Sequence, residues 1–121
     1  MPAFLDPFDA KQQKKIQAMG TRVTLPEGWS PISEQTSADK LYLIITGEVS
    51  VRRKGEEIAR LGAGDVMGEK AIVGHTLRTA SLVALTPLEL LHFTESAVEK
   101  LSSKVPAFGE ALKAISQSRS T

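Results

Sequence analysis

The sequence contains no cysteine, which excludes disulfides, thiolate metal cages and a thiol nucleophile. Histidine is nearly as scarce. His75 and His92 stand seventeen positions apart and are the only two, so the histidine-rich metal site of a catalytic cupin cannot be assembled. With no Ser/His/Asp arrangement either, the expectation is a protein that is not an enzyme and holds no metal or cofactor. His75 reads as an exposed loop residue and His92 as a residue on the wet side of a strand.

An excess of one charge is also missing. Lys plus Arg total 15 against 14 for Asp plus Glu, a net charge of +1, too balanced for a chain that lives on phosphate backbones. Nucleic acid is therefore not expected as a direct partner. The longest unbroken apolar run, Leu41 to Ile45, is far too short to span a bilayer. The first residues lack the basic start and apolar core of a signal peptide. No membrane insertion is expected, and a soluble cytoplasmic location follows. Met1-Pro2 is consistent with a genuine start, while residues 117–121 read equally as a frayed tail or a cut end.

What is present is the composition of one ordinary domain: 121 residues, 41% hydrophobic and 24% charged, with nine glycines and six prolines. A chain of this length buries roughly two thirds of its unfolded surface without staples. The expectation is a single domain over 1–121, helical over 1–20, a β-roll over 21–93 and helices again over 94–118.

The spacing predicts a first helix over 9–20, with Asp9 as cap, Gln12 at the capping-box position and Gly20 as a left-handed stop. Lys11, Lys14 and Lys15 make its solvated face, and Phe4, Leu5 and Phe8 a packed turn before it. From Thr21 to Phe93 short apolar runs are punctuated by glycine. Strands are predicted at 22–25, 40–46, 48–53, 57–61, 81–85 and 88–93. Val49 and Val51 alternate with Glu48, Ser50 and Arg52, which reads as one wet face. The run around Leu41 to Ile45 reads as a strand dry on both faces. Beyond it, Thr94 caps a helix to about Lys104 and Pro106 opens another. Val98, Leu101, Val105, Phe108, Leu112 and Ile115 fall along one stripe across the joint at Val105. That stripe suits plain core, a moving lid or a dimer seam.

The segment with chemistry is Gly62-Ala63-Gly64-Asp65-Val66-Met67-Gly68-Glu69-Lys70-Ala71-Ile72, followed by Leu77-Arg78-Thr79-Ala80. Its glycines allow backbone N–H groups to approach an anion. An arginine fork suits a phosphate, and a carboxylate accepts from a sugar hydroxyl. A salt bridge between Glu69 and Arg78 across a turn is the plainer reading of the same spacing.

In order and spacing these residues resemble the phosphate-binding cassette of the cyclic nucleotide-binding domain family, with Met67-Gly68-Glu69-Lys70-Ala71-Ile72, a spacer over 73–76, then Leu77-Arg78-Thr79-Ala80. Upstream, Pro26-Glu27-Gly28, Thr46-Gly47-Glu48-Val49 and Leu61-Gly62-Ala63-Gly64-Asp65 are similar to the family's glycine-marked turns. The resemblance implies a mainly β fold, an eight-stranded double-stranded β-helix jelly roll, with an N-terminal helix and two C-terminal helices. It implies that Arg78 holds the cyclic phosphate, Glu69 accepts from the ribose 2′-hydroxyl, and Gly68, Lys70, Ala71, Thr79 and Ala80 line the ligand, with Phe108 or Leu112 as base cap. Cyclic AMP is favoured over cyclic GMP, although the Thr79 hydroxyl is of a kind that reaches guanine in some members. Two positions depart from the family: Leu77 stands where proline is usual and Lys70 where an apolar residue is usual. They support the alternative of a ligand-free β-roll serving as a protein interaction module. A helix-turn-helix, which regulators with this sensor carry after the last helix, has no place in these residues. Output is expected through a homodimer or a protein effector on the C-terminal helices, or through a domain outside the sequence.

Overall fold

The computed structural model describes residues 4–30, 40–67 and 81–118. Among them, the elements run α1 (Ala10–Met19), β1 (Thr21–Leu25), β2 (Lys40–Thr46), β3 (Val49–Arg53), β4 (Glu56–Leu61), β5 (Val66–Met67), β6 (Ser81–Ala84), β7 (Leu88–Thr94), α2 (Glu95–Lys104) and α3 (Pro106–Ser118). The described residues are thus mainly β with three helices, as the glycine-punctuated apolar runs and the family resemblance imply. Seven strands, not eight, lie among the described residues. The two-residue β5 has no sequence signature and is the strand that sequence reasoning misses.

The strands form two antiparallel sheets, of order β1-β7-β2-β5 and β4-β3-β6. Ile44, Val49, Val51, Met67, Leu82, Ala84, Leu88 and Leu90 fill the space between them. The other face of the four-stranded sheet is covered by helices: Leu41, Leu43, Val66 and Phe93 meet Ile16 of α1, Val98 and Leu101 of α2, and Phe108 and Leu112 of α3. β2 therefore alternates between two cores, which is why its sequence is an almost continuous apolar run.

Local chemistry sets the ends of the elements. The Asp9 side chain accepts from the Gln12 N–H at 2.7 Å, and Gln12 Oε1 accepts from the Asp9 N–H at 3.2 Å, closing the capping box. Gly20 is not the expected left-handed stop. Its backbone is extended (φ −92°), and a Cβ there would lie 3.0 Å from the Phe93 ring, which would have to give by a few tenths of an ångström. Lys54 and Gly55 both take positive φ (54° and 80°) in the turn between β3 and β4, the backbone of a tight two-residue hairpin. Thr94 caps α2 by accepting from the Ala97 N–H at 3.1 Å.

The outer face of β3 is drier than the alternation suggests. Ser50 is fully buried and donates to Glu57 at 2.7 Å, while the Arg60 guanidinium reaches the same carboxylate at 3.0 Å. The Ser50 hydrogen bond first, and the Arg60 bond next, hold the Glu57 carboxyl below its usual range. A short polar side chain is buried here because it has a charged partner.

The stripe on the last two helices is core. Val105 leaves the helical region (φ −129°, ψ 83°) and separates α2 from α3, as proline at the next position dictates. Phe108 is fully buried, its ring edge-on to Phe4 at 5.7 Å and tilted against Phe93 at 6.4 Å. Gly109 lets the helices close up: a Cβ there would lie 3.1 Å from Ser102 Oγ. Replacing Phe108 by alanine is expected to cost about 3 to 5 kcal/mol, the usual penalty for emptying a buried aromatic site. Denaturant unfolding checks this, and a loss below about 1 kcal/mol would mean that α3 is not seated on the sheet.

Candidate functional site

Short connections put one end of the roll beyond doubt. β2 passes to β3 through Gly47-Glu48, β4 to β5 through residues 62–65, and β6 to β7 through residues 85–87. All three lie at the same end. There the Leu85 N–H donates to the Glu48 carbonyl at 2.9 Å, and the Glu48 N–H donates to Thr86 Oγ1 at 3.1 Å. Gly47 has φ +107°, and a Cβ would stand 2.6 Å from the Pro87 carbonyl oxygen, so no other residue fits without moving that turn.

The opposite end is the candidate site. Met67, the last residue of β5, and Ser81, the first of β6, both lie there, and they bracket the segment that carries the predicted phosphate-binding residues. Gly68, Glu69, Lys70, Ala71, Arg78, Thr79 and Ala80 themselves fall outside the described residues, as do His75 and Leu77. What the structure supplies is the frame. Met67 pairs with Tyr42, Tyr42 with His92, and His92 with Thr21, so these four residues stand abreast across the four-stranded sheet. Facing them on the other sheet, Ser81 pairs with Arg52.

The glycine turn before β5 is structural. The Gly62 N–H donates to Asp65 Oδ2 at 2.9 Å, the Gly64 N–H to the Ile44 carbonyl at 2.8 Å, and the Ile44 N–H to the Asp65 carbonyl at 2.9 Å. Gly64 has φ +90° and its carbonyl accepts from the Phe4 N–H. These two glycines spend their N–H groups inside the fold and have none left for an anion. Their contribution is to aim β5 at the far end of the roll.

His92 departs from its expected place on a wet face. It follows Leu88 and Leu90 at the same alternation, and both belong to the core between the sheets. Its Nδ1 is buried and, among the described residues, has no hydrogen-bond partner. The period of β7 carries this signal, because His92 continues the inward set of Leu88 and Leu90. Phe108 and Leu112 lie on the other side of the four-stranded sheet, in the helix-side core.

On that helix side a groove of about 510 Å3 is lined by Leu5, Gln17, Leu43, Ile45 and Leu91, with Arg22 at its rim. Arg22 is paired with Glu89 at 2.6 Å, so this groove presents no uncommitted cation to a phosphate. Among the described residues there is no cluster of three or more acids and histidines fit to hold a metal ion, and no helix is long and apolar enough to cross a membrane.

Comparison with known proteins identifies the family the sequence matches. Residues 22–104 match the cyclic nucleotide-binding domain family. The chain is 30% identical, over 87% of its length and 28% of the relative's, to a cAMP-dependent protein kinase regulatory subunit of Yarrowia lipolytica. It is 35% identical, over 61% of its length and 10% of the relative's, to the cGMP-dependent protein kinase egl-4 of Caenorhabditis briggsae. The chain thus spans less than a third of either relative. Among solved structures, the Thermus thermophilus catabolite activator protein shares the fold, with a TM-score of 0.84 over 93% of this chain and 55% of that one at 24% identity.

Proposed function

Because the chain belongs to the cyclic nucleotide-binding domain family, we propose that it is a single sensor domain that binds a 3′,5′-cyclic nucleotide, cyclic AMP in preference to cyclic GMP, and signals through its C-terminal helices. The observation that carries this reading is the family match across 22–104 together with Glu69 and Arg78 in cassette register within it. Support comes from the frame, since Met67 and Ser81 bring both ends of the cassette segment to one end of the roll.

The roles follow from the ligand's chemistry. A cyclic phosphate carries one negative charge and is met by one guanidinium fork, that of Arg78. Glu69 accepts from the ribose 2′-hydroxyl, and Gly68, Ala71, Thr79 and Ala80 complete the lining with backbone and small side-chain contacts. Removing the cation leaves a desolvated phosphate unpaired. Arg78→Ala is therefore expected to weaken binding by about 2 to 5 kcal/mol in calorimetric titration, and unchanged affinity would remove the phosphate assignment.

Glu69 has its own test. A 2′-deoxy cyclic nucleotide should bind the wild type more weakly than its parent, and Glu69→Ala should bind the two alike. Equal affinity of both ligands for the wild type contradicts the ribose role.

Signalling uses the joint at Val105. A ligand shifts a conformational equilibrium only by its differential affinity for the two arrangements. Here α3 is seated on the sheet through Phe108 and Leu112. For either residue to cap a base, α3 must leave that seat and swing about the break before Pro106, and a short helix so detached is marginal alone in water. Ligand binding is thus expected to change hydrogen exchange across residues 106–117, with slower exchange in the capped form. Identical protection with and without cyclic nucleotide would mean that α3 is fixed core and that output leaves by another face.

A further inference from the structure

A side-chain polar atom buried in a protein usually has a hydrogen-bond partner, because an unpaired one away from water costs a hydrogen bond's worth of desolvation. His92, a half-buried residue, breaks that rule: its Nδ1 atom is buried and has no partner among the described residues. Three further facts give the atom a place. His92 continues the inward-facing set of Leu88 and Leu90 into the space between the sheets. Through Tyr42 it stands in the same row as Met67, the residue directly before Gly68. That row is at the end of the roll to which Ser81 returns the chain after Ala80. A buried polar atom without a partner among the described residues is therefore found on the interior wall at the end where the cassette segment leaves and rejoins the fold, two strands away from where it leaves.

We propose that His92 is a ligand-contacting residue outside the cassette, whose Nδ1 hydrogen-bonds a polar atom of the bound cyclic nucleotide. The inference rests on the cyclic nucleotide reading of the site and adds a contact to it from β7. The histidine holds its position through strand pairing on both sides, Thr21 on β1 and Tyr42 on β2, so it meets the ligand as a fixed group. Its unmet hydrogen bond costs nothing extra on binding, since the atom is already desolvated. A site that leaves such an atom unpaired discriminates against ligands with an apolar group at that point and favours those with a complementary one.

The test uses the whole chain with cyclic AMP as probe. His92→Leu removes the hydrogen-bonding atom and keeps an inward apolar side chain, and His92→Asn keeps a polar atom close to the position of Nδ1. The expected result is affinity reduced roughly 3- to 10-fold in His92→Leu, the scale of one neutral hydrogen bond, and largely restored in His92→Asn. Thermal unfolding of both variants shows whether they fold. A readout that needs no variant is nitrogen NMR of isotope-labelled histidine in the wild type, where the Nδ1 resonance of His92 should move on saturation with nucleotide. Saturable binding with an unmoved Nδ1 resonance overturns this proposal and leaves the cyclic nucleotide reading standing. No binding of either cyclic nucleotide to the wild type overturns both.

Discussion

The structure depends on two central strands, β2 and β7, whose side chains pack into one core on each face of their sheet. β1, β7, β2 and β5 form a layer whose one side packs against β3, β4 and β6 and whose other side packs against α1, α2 and α3. A strand buried on both faces cannot slip by one residue, because a slip would send every inward side chain to the other core. β2 and β7, paired through six positions with one irregularity between Ile44 and Thr46, are therefore fixed in register, and the connections at one end of the roll are fixed with them. The far end, where residues 67 and 81 emerge, inherits its geometry from this pairing.

The same constraint relates the candidate site to the helices. His92 faces the space between the sheets and its neighbour Phe93 faces the helices, where it meets Phe108 of α3. Adjacent residues of a central strand thus touch the two regions that the proposed function needs to connect. The wall between them is a single layer of backbone. Phe4, whose N–H is held by the Gly64 carbonyl at 2.8 Å, packs on Phe108 from the other side, so the turn that aims β5 also supports the seat of α3.

Much of this was legible in the sequence because it follows from periods. The stripe from Val98 to Leu112, the joint at Val105, the capping box at Asp9 and Gln12, and the two dry faces of β2 are all patterns of spacing, and the structure has them. The features that the sequence hid depend on partners far along the chain. Gly20 looks like a helix stop and is instead a point of close approach to Phe93. Ser50 looks wet and is buried because Glu57 bonds it. Gly62 and Gly64 look like anion donors, yet their N–H groups are used by Asp65 and Ile44. β5 is too short to have a period. For the site, the family resemblance carried Gly68 to Ala80 where periodicity had nothing to say, and His92 was readable from the alternation of β7 only once Leu88 and Leu90 were known to face inward.

The central claim is that the far end of the roll is a cyclic nucleotide site with a preference for adenine. Isothermal titration of the chain with cyclic AMP, repeated in the presence of cyclic GMP as competitor, tests it most directly. The account predicts saturable binding of one cyclic AMP per chain, with cyclic GMP displacing it only in excess. Absence of binding heat and of competition with either nucleotide would contradict the account, and displacement of cyclic AMP by a substoichiometric amount of cyclic GMP would reverse its preference.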